Sequence, residues 1–137
     1  MNQQEKNKQL IYIFYDELNW AKRHGEKAFI AIAKRYTEDQ KLLDHLAFFQ
    51  NGFPNASRVI EEMMAERDRV FVRETFMGRH EGKIEGIPAT QKMIETTFAI
   101  CYTIRNDRIL DFWAIANELD FLEQLGISGE HVIKPPN

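Results

Sequence analysis

The side chains of this sequence best suited to binding a metal or moving a proton near neutral pH are four histidines and one cysteine. They are His24, His45, His80, His131 and Cys101. No two histidines have the i, i+4 spacing of a zinc-binding helix, and the cysteine has no second cysteine to pair with. We therefore expect neither a metal site nor a cofactor. Taken singly, each histidine is more often structural than catalytic.

Serine and glycine patterns argue against two large enzyme classes. The sequence GISGE around Ser128 lacks the Gly-x-Ser-x-Gly spacing of a hydrolase nucleophile. Gly78, Gly82 and Gly86 fit neither the dinucleotide fingerprint nor the P-loop, in which Ser or Thr follows the Gly-Lys pair. The sequence therefore argues against a serine hydrolase and a nucleotide-binding loop, and we expect these glycines at bulges and turns.

Two charged residues in largely apolar segments are candidates for a site. Arg73 is part of VFVRETF, and Asp111 is part of ILDFWAIA. A guanidinium buried without a partner is costly, so Arg73 should meet a carboxylate, such as Glu95 or Asp111, or face a ligand. Asp111 offers a carboxylate to a site, with a structural salt bridge as its alternative role.

A β-hairpin must position these side chains. VFVRETF and TFAICYTI are rich in β-branched and aromatic residues, which favours strands. Asn106 and Asp107 suit a tight hairpin loop, and the resulting register pairs Tyr102 with Asp111 and Ile100 with Trp113. Because side chains alternate, one face should then carry Phe98, Ile100, Tyr102, Ile109, Asp111, Trp113, Ile115 and Asn117.

The opposite face of this hairpin is also apolar. It carries Leu110, Phe112, Ala114 and Ala116. A sheet that is apolar on both sides must be covered on both, so we expect helices on one side and a second subunit on the other. The sequence thus predicts a homodimer or higher homo-oligomer.

Helical periodicity dominates the N-terminal third. Apolar residues at helical spacing predict one helix before the His24-Gly25 break and a second one after it. The same spacing favours a helix over residues 55–67. A short last helix is expected over residues 118–125, ended by Gly126, followed by a loosely held tail, HVIKPPN.

Composition fits one globular domain, residues 1–137, with 44% hydrophobic and 28% charged residues. No apolar run approaches the roughly 20 residues that span a bilayer, so no membrane association is expected. A net charge of -3 without a Lys/Arg run gives no support to nucleic-acid binding. The lone cysteine suits a reducing compartment, and no signal peptide is evident, so we expect a cytoplasmic protein.

A series of short motifs between residues 53 and 126 resembles the SnoaL-like polyketide cyclase or ester cyclase family of the nuclear-transport-factor-2-like superfamily. The family order of motifs appears as FPN, ERD, RET, GRHEG, GIP, the RNDRI hairpin, Trp113, Asn117 and QLG. Asp44-His45 is similar to an Asp-His pair that follows the helices in such proteins. Each fragment is weak evidence alone, and their shared order is what makes the resemblance specific.

The resemblance implies an α+β fold: a cone-shaped, curved, mostly antiparallel sheet with N-terminal helices packed on its concave face. Under it, residues 59–66 form a strand and not a helix, with Arg67 where the family has a turn glycine. It also implies a pocket bordered by Trp113, Asn117, His80 and Tyr102. Relatives carry a general acid/base aspartate at the position of Asn117, and an amide cannot exchange a proton in this way.

The resemblance favours an ester or polyketide cyclase-type protein that acts on or binds a small apolar carbonyl compound in an enclosed pocket. Its expected catalytic residues are His80, Asn117 and Asp111. The expected substrate-binding residues are Arg73, Phe98, Tyr102, Trp113 and His45. Whether catalysis survives Asn117 is open, so a non-catalytic binding or dimerisation domain and a hydratase or isomerase are alternatives. The aromatic side chains either line a cavity or fill the core.

Overall fold

The computed structural model describes residues 1–127. Three helices come first, followed by four strands and a short last helix; the tail HVIKPPN lies outside the described residues. The elements are α1 (Gln3–Ala21), α2 (Glu26–Ala33), α3 (Gln40–Gly52), β1 (Ser57–Glu66), β2 (Arg69–Arg79), β3 (Met93–Arg105), β4 (Arg108–Ala116) and α4 (Glu118–Gln124). The strands form one curved antiparallel sheet in the order β1-β2-β3-β4. The predicted α+β class is confirmed.

The helices begin and end at residues with clear local reasons. The Asn2 side chain caps α1 by accepting the backbone N–H of Glu5 at 2.8 Å, and Gly25 separates α1 from α2 with a φ of 91°. Helix α3 is not among the helices predicted from the sequence. Asp39 caps it by accepting the N–H of Leu42 at 3.2 Å. No helix within residues 1–127 is long and apolar enough to cross a membrane.

Strand β1 resolves the conflict over residues 55–67 in favour of a strand, as the family resemblance implied. It pairs with β2 from Ser57 to Glu66, and Arg67 turns the chain with a φ of 56°. On its other edge, the Asn19 side chain of α1 bonds both the N–H and the C=O of Arg58, at 2.9 and 2.8 Å. These long-range bonds outweigh the helical propensity of the segment.

The hairpin of β3 and β4 corrects the predicted register. Asn106 and Asp107 form its turn with positive φ, and Arg105 pairs with Arg108 as expected. The register then shifts, so that Thr103 pairs with Asp111, Tyr102 with Phe112 and Cys101 with Trp113. The predicted pairs of Tyr102 with Asp111 and Ile100 with Trp113 are therefore wrong.

The physical cause of this shift is one extra residue on β4, at Leu110. Ile109 is held in place from outside the hairpin: its N–H bonds the C=O of Tyr36 at 2.8 Å, and its C=O accepts the Thr37 hydroxyl at 2.7 Å. A slip of one residue moves every following side chain to the other face. Phe112 and Ala114 consequently face the helices, whereas Asp111, Trp113 and Ile115 face away from them.

One hydrophobic cluster fills the space between the helices and one face of the sheet, which we call the inner face. Val72, Phe76, Ile100 and Phe112 belong to it, and α1 contributes Phe14. The other side of the sheet, called the outer face, carries alternate residues of the same strands. It is partly exposed and includes several large apolar side chains: Met64, Phe71, Trp113 and Ile115.

Candidate functional site

Four polar side chains are buried inside this apolar core: three are hydrogen-bonded to one another, and the fourth, an arginine, acts on them through its charge. They are Tyr15 on α1, Arg58 on β1, Glu74 on β2 and Tyr102 on β3, and none is more than 3% exposed. The three strand residues lie on the inner face because each alternates with outward-facing neighbours. Polar groups are placed in such surroundings at a cost, so this buried cluster is a candidate site.

Hydrogen bonds join three members of the buried cluster in a chain. The Tyr15 hydroxyl donates to Oε1 of Glu74 at 2.7 Å and lies 2.8 Å from the Tyr102 hydroxyl. A phenol has one proton to give, and that of Tyr15 goes to Glu74, so Tyr102 donates to Tyr15. The chain therefore runs from Tyr102 through Tyr15 to the carboxylate and can carry a proton.

Burial raises the pKa of all three hydrogen-bonded groups. It raises the pKa of the Glu74 carboxyl, and the Arg58 guanidinium and the Tyr15 hydrogen bond oppose this rise without cancelling it. Burial and the charge of Glu74 also raise the pKa of Tyr15 and of Tyr102, which keeps both phenols protonated. A carboxyl with a raised pKa in a dry interior is suited to act as both base and acid.

Arg58 is the fourth member of the cluster, and part of it is left without a partner. Its guanidinium carbon lies 5.4 Å from the ring centre of Phe29 and 5.2 Å from that of Phe76. Its Nη2 atom is buried and has no hydrogen-bond partner within residues 1–127. Aromatic ring faces attract the cation but do not replace a hydrogen-bond acceptor.

His80 is buried just beyond the end of β2. Its Nδ1 accepts the backbone N–H of Thr90 at 3.1 Å and lies 3.0 Å from the Thr90 hydroxyl. The proton of the neutral ring is therefore on Nε2, which has no hydrogen-bond partner in the described part of the chain. Burial lowers the pKa of His80, and the backbone of Gly82 partly opposes this. The ring is thus a neutral donor at Nε2.

Comparison with known proteins agrees with this architecture. The family model of the SnoaL-like polyketide cyclases matches residues 33–125. This chain belongs to that family. No curated protein matches the chain.

Solved structures show the same fold as this SnoaL-like chain. A proposed hydroxylase from Streptomyces galilaeus has a TM-score of 0.70 and 20% identity over 90% of this chain and 97% of its own. A proposed SnoaL-like polyketide cyclase from Jannaschia sp. CCS1 has a TM-score of 0.73 and 17% identity, covering 89% and 92% of the two chains. A proposed polyketide cyclase from Acidithiobacillus ferrooxidans has a TM-score of 0.68 and 18% identity, covering 92% and 98%.

Three residues expected at the site of this SnoaL-like protein lie inside the core. Tyr102 belongs to the buried cluster, and Phe98 neighbours Glu74 across the β2–β3 ladder. His45 of α3 is buried, with its ring 5.6 Å from that of Phe98 and 5.2 Å from that of Phe112. The structure thus brings Phe98, Tyr102 and His45 together on the helix side of the sheet.

Three other expected site residues lie on the outer face or at the surface. Trp113 is 43% exposed on the outer face, and Asp111 forms an exposed ion pair with Lys41, which lowers its pKa. Asn117 is exposed and caps α4 by accepting the N–H of Asp120 at 3.0 Å. The bulge at Leu110 is the reason, because it turns this side of β4 away from the helices. A pocket bordered jointly by Trp113, Asn117, His80 and Tyr102 is therefore not formed.

Arg73 also lies on the outer face, where its Nε bonds Oε1 of Glu62 at 2.8 Å. A carboxylate partner was expected, but not this one, since Glu95 and Asp111 were the candidates. Gly78, which was expected at a bulge or turn, pairs regularly with Ile94 and forms no bulge. The irregularity of the sheet lies instead on β1, between Ile60 and Glu62.

The sequence interpretation missed Tyr15, Arg58 and Glu74. The buried position of Glu74 could have been predicted, because Val70, Val72 and Phe76 define a buried face that position 74 must share. Arg58 was missed because it lies in residues 55–67, where the spacing of the apolar residues favours a helix. Tyr15 lies among the buried apolar residues of α1, and the sequence does not indicate which residue its hydroxyl bonds. Within residues 1–127, no group of three or more His, Cys, Asp or Glu is placed to hold a metal ion.

Proposed function

We propose that this protein catalyses proton transfer on a small apolar carbonyl compound, with Glu74 of the inner face as its acid–base group. The observation that carries the proposal is the buried Glu74 carboxyl, bonded to a chain of two tyrosines and held at a raised pKa. The family and the structural neighbours described as polyketide cyclases support a cyclase-type reaction.

The chemistry follows from these groups. The Glu74 carboxylate removes a proton from the carbon next to the substrate carbonyl, which leaves an enolate. The enolate carbon attacks a second carbonyl of the same molecule, forming the ring bond, and the resulting alkoxide recovers the proton from Glu74. His80 lies six residues beyond Glu74, roughly 20 Å along an extended strand, so in this proposal it is neither the base nor a donor to the reacting oxygen.

Deuterium exchange at the α-carbon of a simple β-keto ester tests the assignment. We expect the wild type to catalyse exchange, followed by NMR in D2O, and Glu74→Gln to slow it by about 10²-fold or more. Glu62→Gln is the matched control, because it removes a carboxylate from the outer face. Equal exchange by Glu74→Gln and wild type, or none by either, would contradict the proposal.

A non-catalytic binding domain is the alternative, favoured by Asn117, an exposed amide at the position where the family resemblance implies the acid–base aspartate. In that case Glu74, Tyr15 and Tyr102 have only a structural role, and each provides a hydrogen-bond partner for another in the core. The same experiment separates the two, because a binder would exchange no hydrogen either as the wild type or as Glu74→Gln.

We also propose that the protein is a cytoplasmic homodimer whose two copies meet through their outer faces. Met64, Phe71, Cys101 and Trp113 lie opposite one another across all four strands, so they form an apolar row, with the rings of Phe71 and Trp113 6.2 Å apart. The neighbouring rows carry both signs of charge, from Glu62 and Arg73 on one side and from Glu66, Arg69 and Asp111 on the other. A second copy turned by a two-fold axis presents the same apolar row and complementary charges.

A further inference from the structure

His80 is a buried titratable residue that has no part in the proposed proton transfer. Its side chain is 0% exposed, although its neighbours Arg79 and Glu81 are both at the surface. Its ring lies 5.4 Å from the ring of Phe53, directly after α3. An apolar site of this kind favours the neutral form of a histidine, so a change of charge would disturb whatever the ring holds in place.

His80 holds residues 88–92, which we call the strap and which lead from the preceding loop into β3. The Thr90 N–H donates to Nδ1 of the ring at 3.1 Å, and the Thr90 hydroxyl lies 3.0 Å from the same nitrogen. The Gln91 N–H donates to the C=O of His80 at 2.9 Å, and the His80 N–H donates to the C=O of Lys92 at 2.9 Å. Three successive residues of the strap are therefore bonded to one histidine.

The rest of the strap is weakly held. Four of its five residues are exposed, none of them lies in a helix or strand, and Pro88 has no N–H to donate. Gln91 has a φ of 63°, a conformation that residues other than glycine rarely adopt. A further bond comes from the exposed Arg79, whose Nη1 donates to the C=O of Gln91 at 2.8 Å. Segments with few buried contacts and a strained residue open at low cost, so the bonds to His80 decide whether the strap stays closed.

Protonation of His80 would break the side-chain bond to the strap. In the neutral ring Nδ1 is an acceptor, whereas in the imidazolium both ring nitrogens carry a hydrogen. The Thr90 N–H would then point at another hydrogen, and a positive charge would be buried beside Phe53. The Nε2 atom has no acceptor within residues 1–127 that would compensate for this charge. An open strap, which returns the ring to water, relieves both effects.

We propose that His80 is a pH-sensitive latch, which holds the strap closed when the ring is neutral and releases it when the ring is protonated. The elements around the ring bring no buried charge to it: Gly52 and Phe53 at the end of α3 are uncharged, and the charged side chains before, within and after the loop are exposed. These exposed residues are Arg79, Glu81, Lys83, Glu85 and Lys92. The latch is separate from the proposed proton transfer, which depends on Glu74.

Burial sets the direction of the pH effect, because it lowers the pKa of His80 in the closed state, with the backbone of Gly82 partly opposing this. In the open state the ring is in water, where its pKa is about 6.5, so the open state takes up a proton first as pH falls. The ratio of open to closed strap should therefore rise about tenfold per pH unit below about pH 6.5, until the closed ring is protonated as well. Glu74 has the opposite effect, because its raised pKa stabilises the folded protein as pH falls.

Amide hydrogen exchange of Thr90 and Gln91, followed by NMR across this pH range and corrected for the intrinsic rate of each amide, measures the opening. We expect the tenfold rise per pH unit at these two amides. The Ile109 amide, bonded to the C=O of Tyr36 at the other end of the sheet, is the internal control and should show no such rise. Nitrogen chemical shifts of the His80 ring should show the Nε2–H form at neutral pH and a lowered pKa. An opening ratio that does not change with pH, or a ring protonated at Nδ1 at neutral pH, would overturn the proposal.

His80→Asn tests whether the ring causes the effect. The asparagine oxygen can take the place of Nδ1 as acceptor of the Thr90 N–H, and it does not titrate. We expect the opening of the strap in this variant to be independent of pH over the same range. His24→Asn is the matched control, because His24 is exposed just after α1, and it should keep the wild-type dependence. A tenfold rise that persists in His80→Asn would rule out the latch.

Thr90→Ala provides a second test if His80→Asn does not fold without the ring beside Phe53. It removes the hydroxyl that contacts Nδ1 and keeps the N–H that donates to it. The strap should then be more open at every pH, with the same tenfold rise per pH unit. Loss of this pH dependence in Thr90→Ala would show that the backbone bond to Nδ1 does not hold the strap.

Discussion

The Tyr15 hydroxyl lies 2.7 Å from Oε1 of Glu74, although the two residues are 59 positions apart in the chain. This bond joins the first helix to the second strand and continues to Tyr102, 2.8 Å further on. The bond that ties α1 to the sheet therefore also acts on the protonation of Glu74, because burial raises the pKa of this carboxyl and the Tyr15 hydrogen bond partly opposes the rise. Stability and the proposed chemistry depend on the same atoms, and both respond to pH.

Glu74→Gln should change how stability depends on pH. The folded-state pKa of Glu74 is raised, so the unfolded state loses its proton first as pH increases. The contribution of the protonated carboxyl is fully present below the unfolded pKa of about 4.3 and is lost as pH rises through the folded pKa. Because Gln stays neutral, the variant should gain stability relative to the wild type as pH rises through this interval.

Urea denaturation at a series of pH values measures this difference. Gln also keeps an oxygen that can accept from Tyr15, so the hydrogen bond is preserved. Glu62→Gln, on the outer face, is the control and should not remove the decline in stability with pH. A constant difference between Glu74→Gln and wild type at all pH values would show that Glu74 does not have the raised pKa described above.

The two tyrosines should differ in their effect on stability. Tyr15→Phe removes the donor to Glu74 and the acceptor of Tyr102, so we expect a loss of about 1.5–3 kcal/mol in the free energy of unfolding. Tyr102→Phe leaves the bond between Tyr15 and Glu74 intact and should cost only about 0.5–1.5 kcal/mol. Denaturant unfolding of both variants checks the order, and a larger loss for Tyr102→Phe would reverse the direction assigned to the chain.

Local sequence patterns predicted much of the fold. Alternation in VFVRETF and TFAICYTI identified β2 and β3, Asn106-Asp107 marked the turn, and the last helix ends near Gly126 as expected. These features depend on residues that are close in sequence. Helix α3 could have been found in the same way, from its cap at Asp39 and the apolar residues at helical spacing after it.

The failures came from interactions between distant residues. The bulge at Leu110 depends on Tyr36 and Thr37, which bond Ile109 from outside the hairpin. That single extra residue moved Asp111 and Trp113 from the expected site to the outer face. The strand character of β1 likewise depends on β2 and on Asn19, so only the family resemblance indicated it.

Trp113→Glu tests the proposed dimer. A charge placed in the centre of the apolar row should dissociate the two copies, because it would be buried unpaired at the interface. Sedimentation analysis should show a dimer for the wild type and a monomer for the variant. Trp20→Glu is the control, since Trp20 is an exposed tryptophan on α1, away from the sheet. A monomeric wild type, or a dimeric Trp113→Glu, would argue against the outer face as the interface.

Substitutions of Asn117 distinguish a surface cap from a catalytic position. Asp caps a helix about as well as Asn, so Asn117→Asp should preserve stability, whereas Asn117→Ala should lose about 1 kcal/mol with the bond to the N–H of Asp120. Neither change should alter deuterium exchange of the β-keto ester, because residue 117 is exposed at the start of α4 and the proposed site lies among Tyr15, Glu74 and Tyr102. Thermal denaturation and the exchange assay measure the two effects separately. Faster exchange by Asn117→Asp would instead place the reacting carbon near the start of α4, and Glu74 would then have a structural role in the core.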